Sequence, residues 1–270
     1  MAAPWCGKLE TIGLSAAWCL AYPVSAQRRI GAAGREAQAT LWMQPGKNHV
    51  SIPYSLLPVA WYWIATAVYV LLLAFAAHGA PWRTLKDESQ LHVFLGTCVL
   101  LMPLWLIKTP ILPGLDYHYL GATLMTLMFG WRLAIVGMSV VLAAAVLNGN
   151  LDWPGYPFNT LVMGAMPVAV SHAILRAVER WLPPNYFIYV FAAAYGGAAL
   201  AVLGAVLAAV AVLWLGGVYS FAQIADKYFP LVVLLMVPEA FITGIVIALL
   251  VAFRPHWVST FDDNRYLKGR

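Results

Sequence analysis

Charged residues are scarce in this chain of 270 residues, of which they make up 10%, whereas 62% of the residues are hydrophobic. A typical soluble domain carries about 25% charged residues. The mean hydropathy of +0.76 points the same way. The composition excludes a water-soluble fold and predicts an integral membrane protein whose surroundings are the lipid bilayer.

Several chemical motifs are also missing from the sequence. The three cysteines, Cys6, Cys19 and Cys98, have no spacing of the zinc or redox type. There is no Gly-rich phosphate loop and no His-Glu-x-x-His motif. We therefore predict a protein that is not an enzyme, has no catalytic cofactor and cannot energise transport alone. The net charge of +5 is interpreted as a topology signal and not as a nucleic-acid surface.

The apolar residues fall into stretches long enough to cross a bilayer, for which a helix needs roughly 20 residues. A polar break at residues 130–132 favours two spans joined by a tight turn over one broken helix. The predicted fold class is all-α, a polytopic membrane helical bundle of about seven transmembrane helices. Its spans are expected at residues 57–77, 91–107, 118–130, 132–148, 160–176, 187–215 and 229–252.

The distribution of Lys and Arg predicts the orientation, since cytoplasmic loops carry the excess. The cationic side chains lie mainly in alternate loops and in the C-terminal segment, so we expect a cytoplasmic C-terminus and an external N-terminus. The predicted division is a leader at 1–48, a seven-helix domain at 49–256 and a cytoplasmic tail at 257–270. The leader is a cleaved signal segment, an upstream extension before a true start at Met43, or a retained extension.

Polar residues near the predicted outer face are the candidates for chemistry, because polar groups at a membrane are costly and often functional. Asp116 and His118 lie together before the third span, and His49 precedes the first. Neutral imidazoles at one face would suit a divalent transition metal. Asn159, at the start of the fifth span, is on the same predicted face. On spacing alone, histidines that merely hydrogen-bond to backbone or water are the simpler interpretation.

Two further features lie inside predicted spans. Glu239 is an intramembrane carboxylate, followed one helical turn later by Thr243, and such an acid is either functional or a hydrogen-bonding partner that holds the bundle. Small residues recur at every fourth position of the sixth span, which predicts close helix packing or, less simply, a docking face for a partner subunit. These are Ala193, Gly197, Ala201, Ala205 and Ala209.

The sequence resembles the CbiM/NikM family, the substrate-binding membrane component of cobalt and nickel energy-coupling-factor transporters. The resemblance rests on the segment 118–121, His-Tyr-Leu-Gly, on Asn159, and on Pro238-Glu239-Ala240 with Thr243-Gly244. The closing segments 253–258 and 261–267 resemble the tail of the proteobacterial branch. The similarity covers roughly residues 48–270.

This resemblance implies a subunit of the bacterial inner membrane that captures Co²⁺ or Ni²⁺ as cargo. A coupling transmembrane subunit and cytosolic ATPase subunits would drive its release inward. His118 would be one metal ligand. The family's N-terminal Met-His pair, whose amine also binds metal, corresponds here to Asn48-His49, so the amine is free only if cleavage occurs directly before Asn48. Asp116 is the hypothetical replacement ligand.

Two other functions remain open at the level of sequence. A membrane-embedded metal chaperone or assembly factor, for copper in particular, would use the same histidines without ATPase partners. Methionines on the same spans would suit Cu(I), although core filling is the simpler role for them. A metal-dependent membrane hydrolase using Glu239 or Asp116 lacks any paired-ligand motif.

Overall fold

A computed structural model describes residues 52, 56–106, 108–112, 115–149, 151–227 and 229–266. The predicted leader at 1–48, which includes Asn48, and the adjacent His49 lie outside the described residues. The predicted tail is described as far as residue 266. The division into leader, membrane domain and tail therefore stays a prediction.

Helices form almost all of the described chain, because its long apolar runs can satisfy their backbone groups in lipid only within a helix. Besides short 3-10 helices at Thr84–Lys86 and Pro255–Trp257, the described residues form eight α-helical segments. They are α1 (Val59–Gly79), α2 (Glu88–Leu106), α3 (Ala122–Leu147), α4 (Trp153–Trp181), α5 (Tyr186–Leu215), α6 (Phe221–Lys227), α7 (Phe229–Phe253) and α8 (Asp263–Tyr266). Short π-helical stretches interrupt α4 at Thr160–Ala165 and α5 at Tyr189–Gly196.

Five of the described helices are long and apolar enough to cross a membrane, namely α1, α3, α4, α5 and α7. The all-α membrane bundle predicted from the sequence is confirmed. The count of seven crossing helices stays a prediction. The fifth span was expected at 160–176, but α4 begins earlier, at Trp153, so Asn159 lies inside the helix and not at its start.

The helix α3 doubles back on itself at Gly130, whose φ of 79° and ψ of 158° are open only to glycine. Met125 packs against Gly137. In a continuous helix these two residues would be about 18 Å apart, so the contact requires two antiparallel arms. The tight turn predicted at residues 130–132 is therefore present. We call residues 122–129 the first arm and residues 131–147 the second arm.

The first arm lies at the centre of the bundle, since all eight of its residues are buried. A helix that is buried on every side is apolar all round, which is why its sequence resembles a membrane span. Eight residues rise only about 12 Å, less than half of the hydrocarbon thickness. The predicted span 118–130 is thus a short central helix and does not cross the membrane alone.

A short antiparallel strand pair precedes this arm and was not expected from the sequence. The strands are β1 (Lys108–Leu112) and β2 (Leu115–His118), with Lys108 opposite His118 in the register. The chain then leaves the sheet and enters the bundle before α3 begins at Ala122. Their pairing satisfies the backbone groups on the facing edges of the two strands.

The small-residue stripe of α5 faces the inside of the bundle, where all five of its members are buried. Gly197 lies against Thr123 of the first arm and Ile174 of α4. A Cβ atom added to Gly197 would lie 3.7 Å from a methyl group of Thr123 and 3.8 Å from one of Ile174. The stripe therefore packs against neighbouring helices of this chain, and its role in partner docking stays a prediction.

The segment after α7 folds back onto the end of the first arm. The backbone N–H groups of Ser259 and Thr260 donate to the carbonyls of Met128 and Leu127, at 2.9 and 3.3 Å. Arg265 donates to the carbonyl of Glu179, at 2.9 Å, and thus contacts the end of α4. We call this side of the molecule, which also contains the turn at Gly130, the tail end.

Candidate metal site

The loop formed by residues 118–121 carries the predicted ligand His118 and is held by Glu239. Both carboxylate oxygens accept backbone N–H groups, Oε2 from Leu120 and Oε1 from Gly121, each at 2.8 Å. Glu239 is 2% exposed. It stands ten residues into the 25-residue α7, about 15 Å along that helix, so the loop lies deep in the bundle. Non-helical backbone at this depth is tolerated because its donors are satisfied.

The same carboxylate also stands at the beginning of the first arm. Gly121 is the N-cap residue of α3 and has a φ of 71°, a left-handed conformation that favours glycine. A side chain at this position would also collide with Leu101 of α2. Hydrogen-bond acceptors at a helix N-terminus interact favourably with the helix dipole, so the position suits the Glu239 carboxyl oxygens.

Thr243, one turn further along α7 than Glu239, also holds the loop of residues 118–121. Its hydroxyl is hydrogen-bonded to the hydroxyl of Tyr119 at 3.0 Å, and both residues are buried. Residues four positions apart share a helix face. Glu239 and Thr243 thus reach three consecutive residues of one loop, and the two intramembrane polar residues singled out from the sequence belong to one cluster with His118.

His118 is buried at the end of β2 and lies against Trp105 of α2. The centroids of the imidazole and indole rings are 4.2 Å apart, and the rings are inclined by 39°. The imidazole is 6% exposed. Its Nδ1 is 3.4 Å from the carbonyl oxygen of Tyr119, a long contact for a hydrogen bond. A buried imidazole on a fixed loop has the properties of a preorganised nitrogen ligand for a transition metal.

Asn159 holds the backbone at Ile52, a residue that follows the predicted ligand His49 in the sequence. Its Oδ1 accepts the N–H of Ile52 at 3.0 Å, while its Nδ2 donates to the carbonyls of Ile52 and Gly155, at 3.1 and 2.9 Å. Asn159 and Ile52 are each 0% exposed. The side chain therefore fixes both backbone groups of a residue three positions after His49 in the sequence.

The remaining predicted ligands are not brought together in the described part of the chain. Asp116 lies in β2, opposite Pro110 in the register and two residues before His118. Asn48 and His49 are outside the described residues. Within that described part, no group of three His, Cys, Asp or Glu residues could hold a metal ion. Whether His118, His49 and Asp116 form one site therefore remains a hypothesis.

Sequence reasoning missed two residues of this cluster, Trp105 and Tyr119. Trp105 is 2% exposed, and its Nε1–H donates to the carbonyl of Leu120 at 3.1 Å. Tryptophan close to the end of a predicted span normally indicates an interfacial anchor, so the pattern carried no sign of this role. Tyr119, next to His118, was a visible candidate whose partner only the fold could reveal.

The family assignment rests on a profile described as "Cobalt uptake substrate-specific transmembrane region", CbiM, which matches residues 51–257. The chain belongs to the CbiM family. It is a multi-pass membrane component of transition metal uptake. The match includes His118, Asn159 and the whole of α7, the elements that build the cluster described above.

Solved structures agree with this fold. A crystal structure of a truncated transition metal transporter is 19% identical, with a TM-score of 0.61, covering 75% of this chain and 98% of that one. A second transition metal transporter is 20% identical, with a TM-score of 0.60, covering 75% and 92% of the two chains. At such low identities the likeness establishes the fold alone. No curated protein matches the chain at a significant level.

Proposed function

We propose that this CbiM-family chain is the substrate-capture subunit of an energy-coupling-factor type ABC transporter that takes up Co²⁺ or Ni²⁺. One observation carries the proposal: His118 is buried on a loop whose backbone is clamped by Glu239. Nitrogen ligands suit both metals. A clamped loop holds such a ligand in position before the metal arrives, which reduces the cost of ordering it on binding.

Further ligands are proposed from the segment that precedes α1. Asn159 hydrogen-bonds to both backbone groups of Ile52, and His49 stands three residues earlier in the sequence. Asp116 is the second candidate, as the carboxylate nearest to His118 in the sequence.

The orientation is part of the proposal. Arg132 donates to the carbonyl of Gly79 at the end of α1, and Arg265 contacts α4 at the tail end. On α4, the guanidinium Nη1 of Arg176 lies 3.1 Å from the carboxylate Oε2 of Glu179. From the positive-inside rule we expect this tail end in the cytoplasm and the strand pair outside. Coupling and ATPase subunits would then act from the tail end.

Metal binding by the purified full-length protein tests the ligand assignment. Co²⁺ and Ni²⁺ affinities are measured for wild type and His118→Ala, beside the exposed-residue control His92→Ala. We expect one bound metal in wild type and in the control, and an affinity loss of about 100-fold or more in His118→Ala. Equal binding by all three proteins would refute the assignment.

The same assay extends to the remaining ligands and to transport. His49→Ala and Asp116→Ala are each expected to weaken binding if they complete the site, and an unchanged affinity removes that residue from it. Mass spectrometry of the mature N-terminus shows whether Asn48 has a free amine. Metal uptake by cells that express the chain with and without ATPase partners separates an energised transporter from a chaperone, since only transport requires the partners.

A further inference from the structure

The indole of Trp105 is held by the backbone of the loop and not by the His118 side chain. Its Nε1–H donates to the Leu120 carbonyl at 3.1 Å, and the side chain is 2% exposed between α2 and the loop. A buried Trp whose N–H has a partner has little freedom to rotate. The indole ring is therefore held in one orientation beside the loop that carries the proposed ligand.

The imidazole of His118 lies directly against the indole of Trp105. The centroid separation of 4.2 Å is the shortest of the ring pairs found in the described part of the chain. His118 leaves β2 as the strand ends, and its Nδ1 makes a long contact with the neighbouring carbonyl. The ring contact with Trp105 thus restricts the plane of the imidazole, and with it the direction of the nitrogen lone pair that a metal would accept.

The contact has an electrostatic consequence as well. The face of an indole ring is negative and attracts positive charge. A divalent metal withdraws electron density from a coordinated imidazole, so the indole interacts more favourably with the metal-bound ring than with the free neutral ring. Trp105 should therefore favour the loaded form of the site.

We propose that Trp105 is a positioning residue of the metal site, which orients the His118 imidazole and stabilises it when metal is bound. The inference rests on the proposed function, because it needs His118 to be a ligand. Residues that orient metal ligands typically contribute about 10-fold to 100-fold to metal affinity. Trp105 acts through His118 and need not touch the metal.

The test uses the full-length protein with two substitutions and a matched control. Trp105→Leu removes the ring and the N–H donor. Trp105→Phe keeps an aromatic ring but loses the donor. Trp63→Leu changes a tryptophan of α1 that is 73% exposed and distant in the chain from the loop. Each protein is titrated with Co²⁺, and the visible absorption of the bound ion is recorded.

We expect Trp105→Leu to lose about 10-fold to 100-fold in Co²⁺ affinity and to shift the ligand-field bands, with Trp105→Phe losing about 3-fold to 10-fold. Trp63→Leu should match wild type. Band positions report ligand geometry, whereas a merely structural loss would lower the amount of bound cobalt and leave the bands in place. Affinities within two-fold of wild type and unchanged bands in the Trp105 variants would overturn the inference.

Two further results have definite meanings. If Trp105→Leu does not fold, Trp105→Phe decides, and its Co²⁺ affinity within two-fold of wild type overturns the inference. If His118→Ala binds Co²⁺ as wild type does, the proposed function fails and the inference with it. If His118→Ala loses binding while the Trp105 variants keep it, only the inference fails.

Discussion

The two ends of the first arm of α3 are held by different kinds of partner. At its beginning, the buried carboxylate of Glu239 accepts the N–H groups of Leu120 and Gly121. At its end, the carbonyl of Leu127 accepts both the N–H and the hydroxyl of Thr260, the latter at 2.7 Å. Negative charge meets the helix N-terminus and hydrogen-bond donors meet its C-terminus, as the dipole favours.

The two ends therefore differ in how easily the first arm can detach from its neighbours. The metal-site end is held by a 2%-exposed side chain from the middle of α7, and its loss would leave donors unsatisfied in a dry interior. The tail end is held by Ser259, which is exposed, and Thr260, which is half-buried. Water can replace these bonds, so local opening is expected to begin at the tail.

The largest effect is expected from Glu239→Gln, which keeps the shape but removes the charge. Two hydrogen bonds to a carboxylate are lost or weakened, at about 1.5–3 kcal/mol each. We therefore expect the free energy of unfolding in detergent to fall by about 3–6 kcal/mol. The matched control is Glu179→Gln at the tail end, where surface ion pairs contribute about 1 kcal/mol or less. Similar losses for the two variants would contradict the comparison.

Asn159→Ala should have the next largest effect, since it removes a second clamp of the metal-site region. Three hydrogen bonds to backbone groups disappear from a fully buried position, and at about 1 kcal/mol each the unfolding free energy should fall by about 3 kcal/mol. Asn185→Ala is the control, because Asn185 is exposed and only caps α5. An equal melting-temperature shift for both would show that burial does not matter here.

Thr260→Val tests the tail end by itself. It deletes the hydroxyl bond to Leu127 and removes the hydroxyl that pairs with that of Tyr189, so a loss of about 1–2 kcal/mol is expected. Thr66→Val, which loses only a local bond within α1, should be nearly neutral. Hydrogen exchange should quicken in residues 258–266 while residues 119–121 stay protected; faster exchange in both would show that the two ends open together.

The smallest effect is expected at the bond between Tyr119 and Thr243. Tyr119→Phe and Thr243→Val should each cost about 1 kcal/mol, because each leaves one buried hydroxyl without a partner. The double variant should lose less than the sum of the two, since both partners are then gone. A double-mutant cycle measures this coupling, and strict additivity would show that the two hydroxyls do not interact.

Much of the fold was predictable because the forces that shape it act on short, continuous segments. Apolar runs longer than a bilayer require helices, and residues 187–215 and 229–252 match α5 and α7 within a residue or two. The first arm was the exception. Six of its eight residues are apolar because they fill the centre of the bundle, and hydropathy does not distinguish a buried core helix from a lipid-facing one.

The candidate site was predictable only in part, for a related reason. His118, Asn159, Glu239 and Thr243 were conspicuous as polar residues in or near membrane spans. Their partners were not conspicuous. Trp105 stands where an interfacial anchor is expected, and the strand pair that ends at His118 depends on pairing between segments, which hydropathy does not predict.

The sequence by itself determined that this chain is a helical membrane protein, since the cost of exposing polar backbone to lipid leaves no other fold for such a composition. It also determined the turn at Gly130, because a polar break and a glycine stand where the chain must reverse. Only the tertiary structure decided which groups meet. Glu239 reaches Leu120 across 119 residues of chain, and Trp105 reaches the His118 ring, because packing in three dimensions sets contacts that are remote in the sequence.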